Sequence, residues 1–208
     1  MSDGRAARDD SDGHARVRDF FAARASGWEA RFPDDGPAFA TAVAELAPPA
    51  GGVVLDAGCG TGRALPALRA AVGPTGTVLG ADLTPAMLAE AVRAGRHRDG
   101  ALVLADAGRL PLRDGVLDAV FAAGLISHLA APEAGLQELA RVTRPGGRMA
   151  LFHPVGRAAL AARQGRRLTP DDLRAGPRLR PLLAAAGWRL TSYADEDTRY
   201  LALAVRDG

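Results

Sequence analysis

The chain has 208 residues, of which 48% are hydrophobic and 24% charged, a size and balance that fit one compact domain and exclude disorder, collagen-like repeats and coiled coil. The formal net charge is only +2; all 26 basic residues are arginine, and neither lysine nor asparagine occurs. That bias fits the codon usage of a GC-rich genome, so the basic pI gives no argument for nucleic acid by itself.

Residues 1 to 14 are small, polar and charged without periodicity, and a loose tail is expected there. The tail carries no apolar signal core, and no apolar run approaches the roughly 20 residues of a membrane span, so a cytoplasmic protein is expected. Two helix-like stretches follow, Arg16 to Arg24 and Pro37 to Leu46, separated by the aromatic segment GWEARFPDDG. Together they form an N-terminal helical segment over residues 15 to 50. From residue 51 to 208 a second pattern takes over, in which short apolar runs (VVLDA, TVLGA, ALVLA, LDAVFA, GRMALF) alternate with helical spacing (GRALPALRAAV, PAMLAEAVRAG, EAGLQELARVT).

Strands apolar on both faces suit a parallel sheet covered by helices on each side, hence a doubly wound α/β fold. A helix is expected around Pro170 to Ala186. After it, WRLTSYA and RYLALAV flank the polar DEDT and read as a β-hairpin closing the sheet. Five parallel strands plus a C-terminal hairpin give seven strands in all. A lone cysteine, Cys59, excludes an intramolecular disulfide, and His14, His97, His128 and His153 fall in separate segments without metal-ligand spacing.

The most informative motif is VVLDAGCGTGRALPAL, a strand, then Asp56, Gly58, Gly60 and Gly62, then a helix. Glycines let a ligand approach backbone closely, and the free N–H groups of a helix start favour an anion such as a phosphate or carboxylate. A dinucleotide fingerprint would place its third glycine at position 63, which is Arg63, and Asp56 precedes the first glycine by two residues. Asp82 closes the second apolar run, where a carboxylate can accept from a ribose diol. Asp106 ends the third.

The spacing D-x-G-x-G-x-G resembles motif I of the class I S-adenosylmethionine (SAM)-dependent methyltransferases, and the similarity extends over about residues 51 to 153 through LTPAML, LADAGRLPL, VLDAV and the R-V-T-R-P-G-G turn. Leu112 and Leu117 stand where the family has aromatics. The resemblance implies a Rossmann-like sheet and SAM as cofactor, leaving as S-adenosylhomocysteine. It also implies that Asp56, Gly58, Gly60 and Gly62 cradle the cofactor and that Asp82 takes the ribose. Leu83 and Met87 would pack on adenine, Asp106 with Ala107 would take its amino group, and Ala123 with Gly124 would line the methionine end. The aromatic segment Trp28, Glu29, Arg31 and Phe32 corresponds to a lid, with Trp28 against the cofactor. The bland readings are core packing for Leu83 and Met87, loop capping for Asp106 and a hydrophobic staple for Trp28.

Since the reactive charge belongs to the cofactor, methyl transfer asks the protein mainly to align, desolvate and deprotonate. His153, at the end of the fifth strand, and His128, after the fourth, are the candidate catalytic residues, with packing or capping as the competing role of His128. Cys59 is small enough for the loop and needs no nucleophilic role. The region after the fourth strand reads AAGLIS, without an amino-methylating Pro-Pro-aromatic motif, and no Pro-Cys nucleophile occurs. The Arg-rich stretch from Arg157 to Arg180 lacks interleaved aromatics and reads as a solvated helix and loop. A small organic acceptor is therefore expected, quinone-like or a secondary metabolite, as in the branch that includes the ubiquinone and menaquinone C-methyltransferases. RNA or protein methylation, and a SAM-binding protein of the same fold that catalyses a non-methylating reaction, are the alternatives.

Overall fold

The run VVLDA is apolar except for Asp56 because it lies at the middle of a sheet covered on both faces. The computed structural model describes residues 3–31, 35–169 and 171–208, with side chains from residue 13 onward. Three helices come first, α1 (Asp3–Ala22), α2 (Trp28–Arg31) and α3 (Gly36–Leu46). Next are β1 (Val53–Ala57), α4 (Leu65–Val72), β2 (Thr77–Asp82), α5 (Pro85–Arg93), β3 (Ala101–Leu104) and β4 (Leu117–Ala123). The chain ends with α6 (Pro132–Val142), β5 (Thr143–His153), α7 (Arg157–Arg163), α8 (Gly176–Ala185), β6 (Trp188–Glu196) and β7 (Arg199–Arg206).

These strands form one seven-stranded sheet in the order β3-β2-β1-β4-β5-β7-β6, with β1 to β5 parallel and β7 antiparallel to both β5 and β6. The order reverses between β1 and β4, which opens a crevice at the carboxyl ends of the parallel strands. On one face Phe39, Phe121 and Phe152 pack with ring centroids 5.1 to 6.1 Å apart, alongside Leu46, Leu65 and Leu68. On the other, Leu136, Leu139, Leu179 and Leu183 from α6 and α8 close over Met149, Leu151 and Trp188. Leu117 is fully buried and Leu112 packs against that cluster, so the two leucines standing in aromatic positions keep the apolar role.

Four elements depart from the sequence reading. Helix α1 begins at Asp3 rather than after residue 14; once the amphipathic turn beyond Arg16 has nucleated, each added residue gains a hydrogen bond, and no proline interrupts the extension. Strand β5 begins at Thr143 rather than Gly147, because Thr143 pairs with Leu117 before an irregularity leads into the Ala119–Arg148 register. Helix α8 starts at Gly176, and the expected start, Pro170, lies outside the described residues. The hairpin turn is tighter than DEDT suggested, since Glu196 already pairs with Arg199. No helix among the described residues is long and apolar enough to cross a membrane.

Trp188, with no exposed surface, anchors the hairpin to α6 by donating from Nε1 to the Leu136 carbonyl at 2.9 Å. Trp188→Phe removes that donor and part of the packed volume, and should lower unfolding free energy by about 2 kcal/mol in urea titration. A change within error would mean that this contact does not hold the hairpin.

Candidate functional site

Gly58, Gly60 and Gly62 all adopt positive φ, +68°, +55° and +77°, a conformation that side chains with a Cβ rarely take. A Cβ on Gly58 would meet Leu125 Cδ1 at 2.9 Å and one on Gly62 would meet Leu65 Cδ1 at 2.9 Å, whereas beside Gly60 there is open space. The loop therefore turns tightly at its two ends and exposes bare backbone at its centre. It is fixed from the β2 side: the Asp82 carboxylate accepts the Gly60 N–H through Oδ2 at 2.8 Å and the Thr84 N–H through Oδ1 at 2.8 Å. The Thr84 side chain bonds the same carboxylate, so of about four acceptor positions roughly one remains on Asp82 for a ligand.

Asp56 sits beneath the loop at 2% exposure, and its Oδ1 has no hydrogen-bond partner among the described residues. Burial first, and the neighbouring Asp82 charge second, push its carboxyl from 3.8 up to about 8. Burial raises Asp82 as well, against the Thr84 and Gly60 hydrogen bonds that lower it. The Cys59 thiol is also held well above its ordinary value by burial and by both acids, which leaves it protonated and inert.

Helix α2, the segment expected to form a lid, bonds to the loop. Glu29 in α2 accepts from Thr61 Oγ1 at 2.6 Å and from the Arg96 guanidinium at 2.6 and 3.0 Å, and Arg63 lies 3.4 Å away. Arg63 Nε also donates to Asp35 at 2.8 Å, and Arg96 reaches the Thr61 carbonyl at 2.8 Å. The Arg96 and Thr61 bonds outweigh burial and lower the Glu29 carboxyl pKa, so it is ionised in this network. Trp28 stacks edge-on against Phe21 at 5.6 Å, and Phe21 meets the His128 ring at 4.9 Å. Through Phe21, helix α1 touches both the lid and the end of β4. Its His14 lies 3.2 Å from Asp106 Oδ2, while Asp106 Oδ1 accepts the Gly108 N–H at 2.8 Å.

At the far end of the crevice His153 closes β5. Its Nδ1 lies 2.8 Å from the Val155 carbonyl and 3.1 Å from the Val155 N–H. The shorter contact favours an Nδ1–H that donates to the carbonyl, a tautomer with the Nε2 lone pair left over. Burial, helped by Arg174 and Arg163 and opposed by the Val155 bond and Asp35, lowers the ring's pKa and keeps it neutral. His128 shifts the same way through partial desolvation and the same Arg174 charge. Tyr200 pairs with His153 across the β5–β7 ladder.

Most of the residues named from the sequence lie at the carboxyl ends of the parallel strands or in the loops and helices that follow them. Asp56, the three glycines and Asp82 sit at the loop, with Met87 and Ala107 buried and Leu83 half-buried beyond it. Asp106 and Trp28 touch α1, and Ala123 leads into Gly124, whose N–H donates to the Phe152 carbonyl at 2.8 Å. Arg31 is exposed, and Phe32 lies outside the described residues. Sequence reasoning missed His14, Phe21, Arg63, Arg96, Arg174 and Tyr200, none of which carries a local motif. The solvated reading of the Arg-rich stretch fails for Arg157 and Arg174, whose side chains are 13% and 14% exposed and share Asp172. Burial against the hairpin and the shared acid hold them in.

The site fits the group that the resemblance implies. A cationic methionine end answers the orphaned carboxyl oxygen of Asp56, a ribose diol suits the spare acceptor of Asp82, and the open centre at Gly60 leaves room for close approach. Residues 55–151 match a family described as methyltransferase domain. The chain is similar to the ubiquinone/menaquinone biosynthesis C-methyltransferase UbiE of Burkholderia mallei, 39% identical over 118 residues, which covers 54% of this chain and 46% of that one. The chain spans less than half the length of the curated relatives it matches. Its fold is that of a SAM-dependent methyltransferase from Aquifex aeolicus, at TM-score 0.67 and 23% identity over 80% of this chain and 88% of the other. It is also that of the magnesium protoporphyrin IX methyltransferase of Synechocystis, solved with bound SAM, at TM-score 0.69 and 18% identity over 94% and 97%.

The raised Asp56 carboxyl has a consequence for stability. Between its unfolded value near 3.8 and its folded value of about 8 the unfolded chain binds fewer protons, so stability falls as pH rises through that window. Asp56→Asn removes the slope. Its melting temperature should gain on that of the wild type steadily from about pH 4 to about pH 8 and then level off; a constant difference across the range would show that Asp56 is ionised in the fold.

Proposed function

We propose that this chain is a class I SAM-dependent methyltransferase, a reading supported by the match of residues 55–151 to a methyltransferase domain, and that it moves a methyl group from SAM to a small organic acceptor. The observation that carries this reading is the juxtaposition at one sheet edge of two different half-sites. One is a glycine loop over an unpartnered buried carboxylate; the other is a neutral histidine with its Nε2 lone pair left over.

Each residue then has a task. Asp82 offers its remaining acceptor position to the ribose diol while holding Gly60 in place. Asp56 meets the methionine end, Leu83 and Met87 wall the adenine, and Asp106 with Ala107 borders its amino group. Gly58, Gly60, Gly62 and Ala123 let the cofactor lie close to backbone, and Trp28 closes over it from the lid. The cofactor, when bound, supplies an activated methyl on a sulfonium, and the protein's share is orientation, exclusion of water and removal of a proton. His153 takes that proton at Nε2, and its lowered pKa keeps the acceptor form available at neutral pH. His128, packed on Phe21, borders the acceptor from the β4 side.

A small acceptor is further supported by the fate of the Arg-rich stretch. Arg157 and Arg174 are paired with Asp172, Arg157 also with Asp195, and Arg178 with Asp171. Those cations are engaged within the fold and are poor candidates for a phosphate-binding face.

Methyl-labelled SAM incubated with the protein and a bacterial extract should place label in the organic-solvent fraction; label in RNA or protein instead would replace the small acceptor, and no transfer despite SAM binding would favour a non-methylating reaction. Asp82→Ala should raise the calorimetric Kd for SAM about tenfold or more, through loss of the diol acceptor and of the Gly60 anchor. His153→Ala should lower kcat about a hundredfold while the Kd for SAM stays put. Equal loss of both quantities would make His153 a structural residue.

A further inference from the structure

Tyr200 is 1% exposed, yet its hydroxyl has no hydrogen-bond partner among the described residues. A buried polar atom left unmade is uncommon and asks for an explanation. The hydroxyl does not lie among apolar groups alone. Tyr200 stands opposite both His153 and Asp195 in the ladder, so the three side chains share one face at the carboxyl edge of the sheet. Tyr193 meets its ring edge-on at 5.8 Å and donates its own hydroxyl to the Arg174 carbonyl at 2.9 Å. Above this face runs a chain of ion pairs: Arg174 to Asp172 at 3.2 Å, Asp172 to Arg157 at 3.4 Å, and Arg157 to Asp195 at 2.8 Å.

That chain carries two cations and two anions, and the exposed Arg163 at the end of α7 adds a further positive charge near His153. The Arg174 charge acts on His128, His153 and Tyr200 alike, while Arg157 and Asp172 act on Tyr200 and Asp35 on His153. Both histidines are held neutral, and Asp35, which balances Arg163 in number, is itself paired with Arg63, so the Arg163 charge has no ion-pair partner among the described residues.

We propose that Tyr200 is the positioning hydroxyl of the acceptor site, and that it selects an acceptor bearing an acidic hydroxyl, a phenol or an enol. The acceptor oxygen receives a hydrogen bond from the Tyr200 O–H and sits within reach of His153. Its O–H bond breaks, the proton goes to His153 Nε2, and the electron pair stays on the acceptor, where the Arg174 and Arg163 charges hold it as the anion. The conjugated anion then presents the nucleophile that methyl transfer consumes. This assignment rests on the methyltransferase reading and narrows it to one acceptor chemistry.

The probe is 4-nitrophenol, whose absorbance separates phenol from phenolate. Titrated into the full chain with S-adenosylhomocysteine present, it should bind saturably and ionise at lower pH than in free solution. Tyr200→Phe, which keeps the ring, should weaken binding about tenfold and move the bound probe's ionisation back toward its free value, with melting temperature and SAM affinity close to wild type. Absence of saturable binding to the wild type, or a Tyr200→Phe variant that binds and ionises the probe as the wild type does, overturns the proposal. Calorimetry with SAM on the same samples separates the two levels: SAM binding without phenol binding removes the acceptor assignment alone, whereas failure to bind SAM removes the methyltransferase reading.

Discussion

Two carboxylates side by side at the end of a buried parallel sheet are the constraint around which the rest of this site is arranged. Asp56 and Asp82 close neighbouring strands, and the register that pairs Asp56 with Gly80 brings their charges close. Like charges in a poorly solvated place cannot both be ionised cheaply. Asp82 is accommodated by two backbone donors, Gly60 and Thr84, and so becomes the strut of the glycine loop. Asp56 has no such donor at Oδ1, and burial with the Asp82 charge raises its carboxyl to about 8. A cation brought to that oxygen would relieve the cost of the second acid, as the proposed function requires.

The lid depends on the same loop from its other side. Glu29 does not pair with a distant surface arginine; it bonds Thr61 inside the loop and Arg96 at the end of α5's following turn, while Arg63 bridges to Asp35. Exposed ion pairs contribute little one by one, but this group is partly buried and shares its members. Moving α2 away would therefore break bonds to residues that shape the glycine loop. His14 and Phe21 add helix α1 to the cover, one at Asp106 and one at His128.

Most of the fold was legible because parallel strands buried on both faces write themselves as apolar runs, and because positive-φ turns demand glycine at Gly58, Gly60 and Gly62. The acids at the strand ends were legible for the same reason: a charged residue closing an apolar run stands out. What could not be read were contacts made by topology. Glu29 and Arg96 lie 67 positions apart, and nothing in the intervening sequence records that they meet. Arg63 shows only as a missing glycine, although the structure gives it a role of its own toward Asp35. The polar neighbourhood of His14 reads as a loose tail, while the force that places it beside Asp106 comes from packing of the later part of α1.

The acceptor half shows the same limit more sharply. Tyr200 reads as one apolar residue in RYLALAV, and burial confirms it as part of the core facing α8. Only the antiparallel register, which sets it across from His153, and the absence of any partner for its hydroxyl turn it into a polar element. The hairpin that ends the sheet therefore does more than cap an edge. β6 carries the chain up to the carboxyl edge of the parallel strands, and β7, antiparallel to β5, starts from that edge. A parallel seventh strand would have reached that edge with its last residues, and Tyr200, the second in β7, would have lain at the opposite end of the sheet.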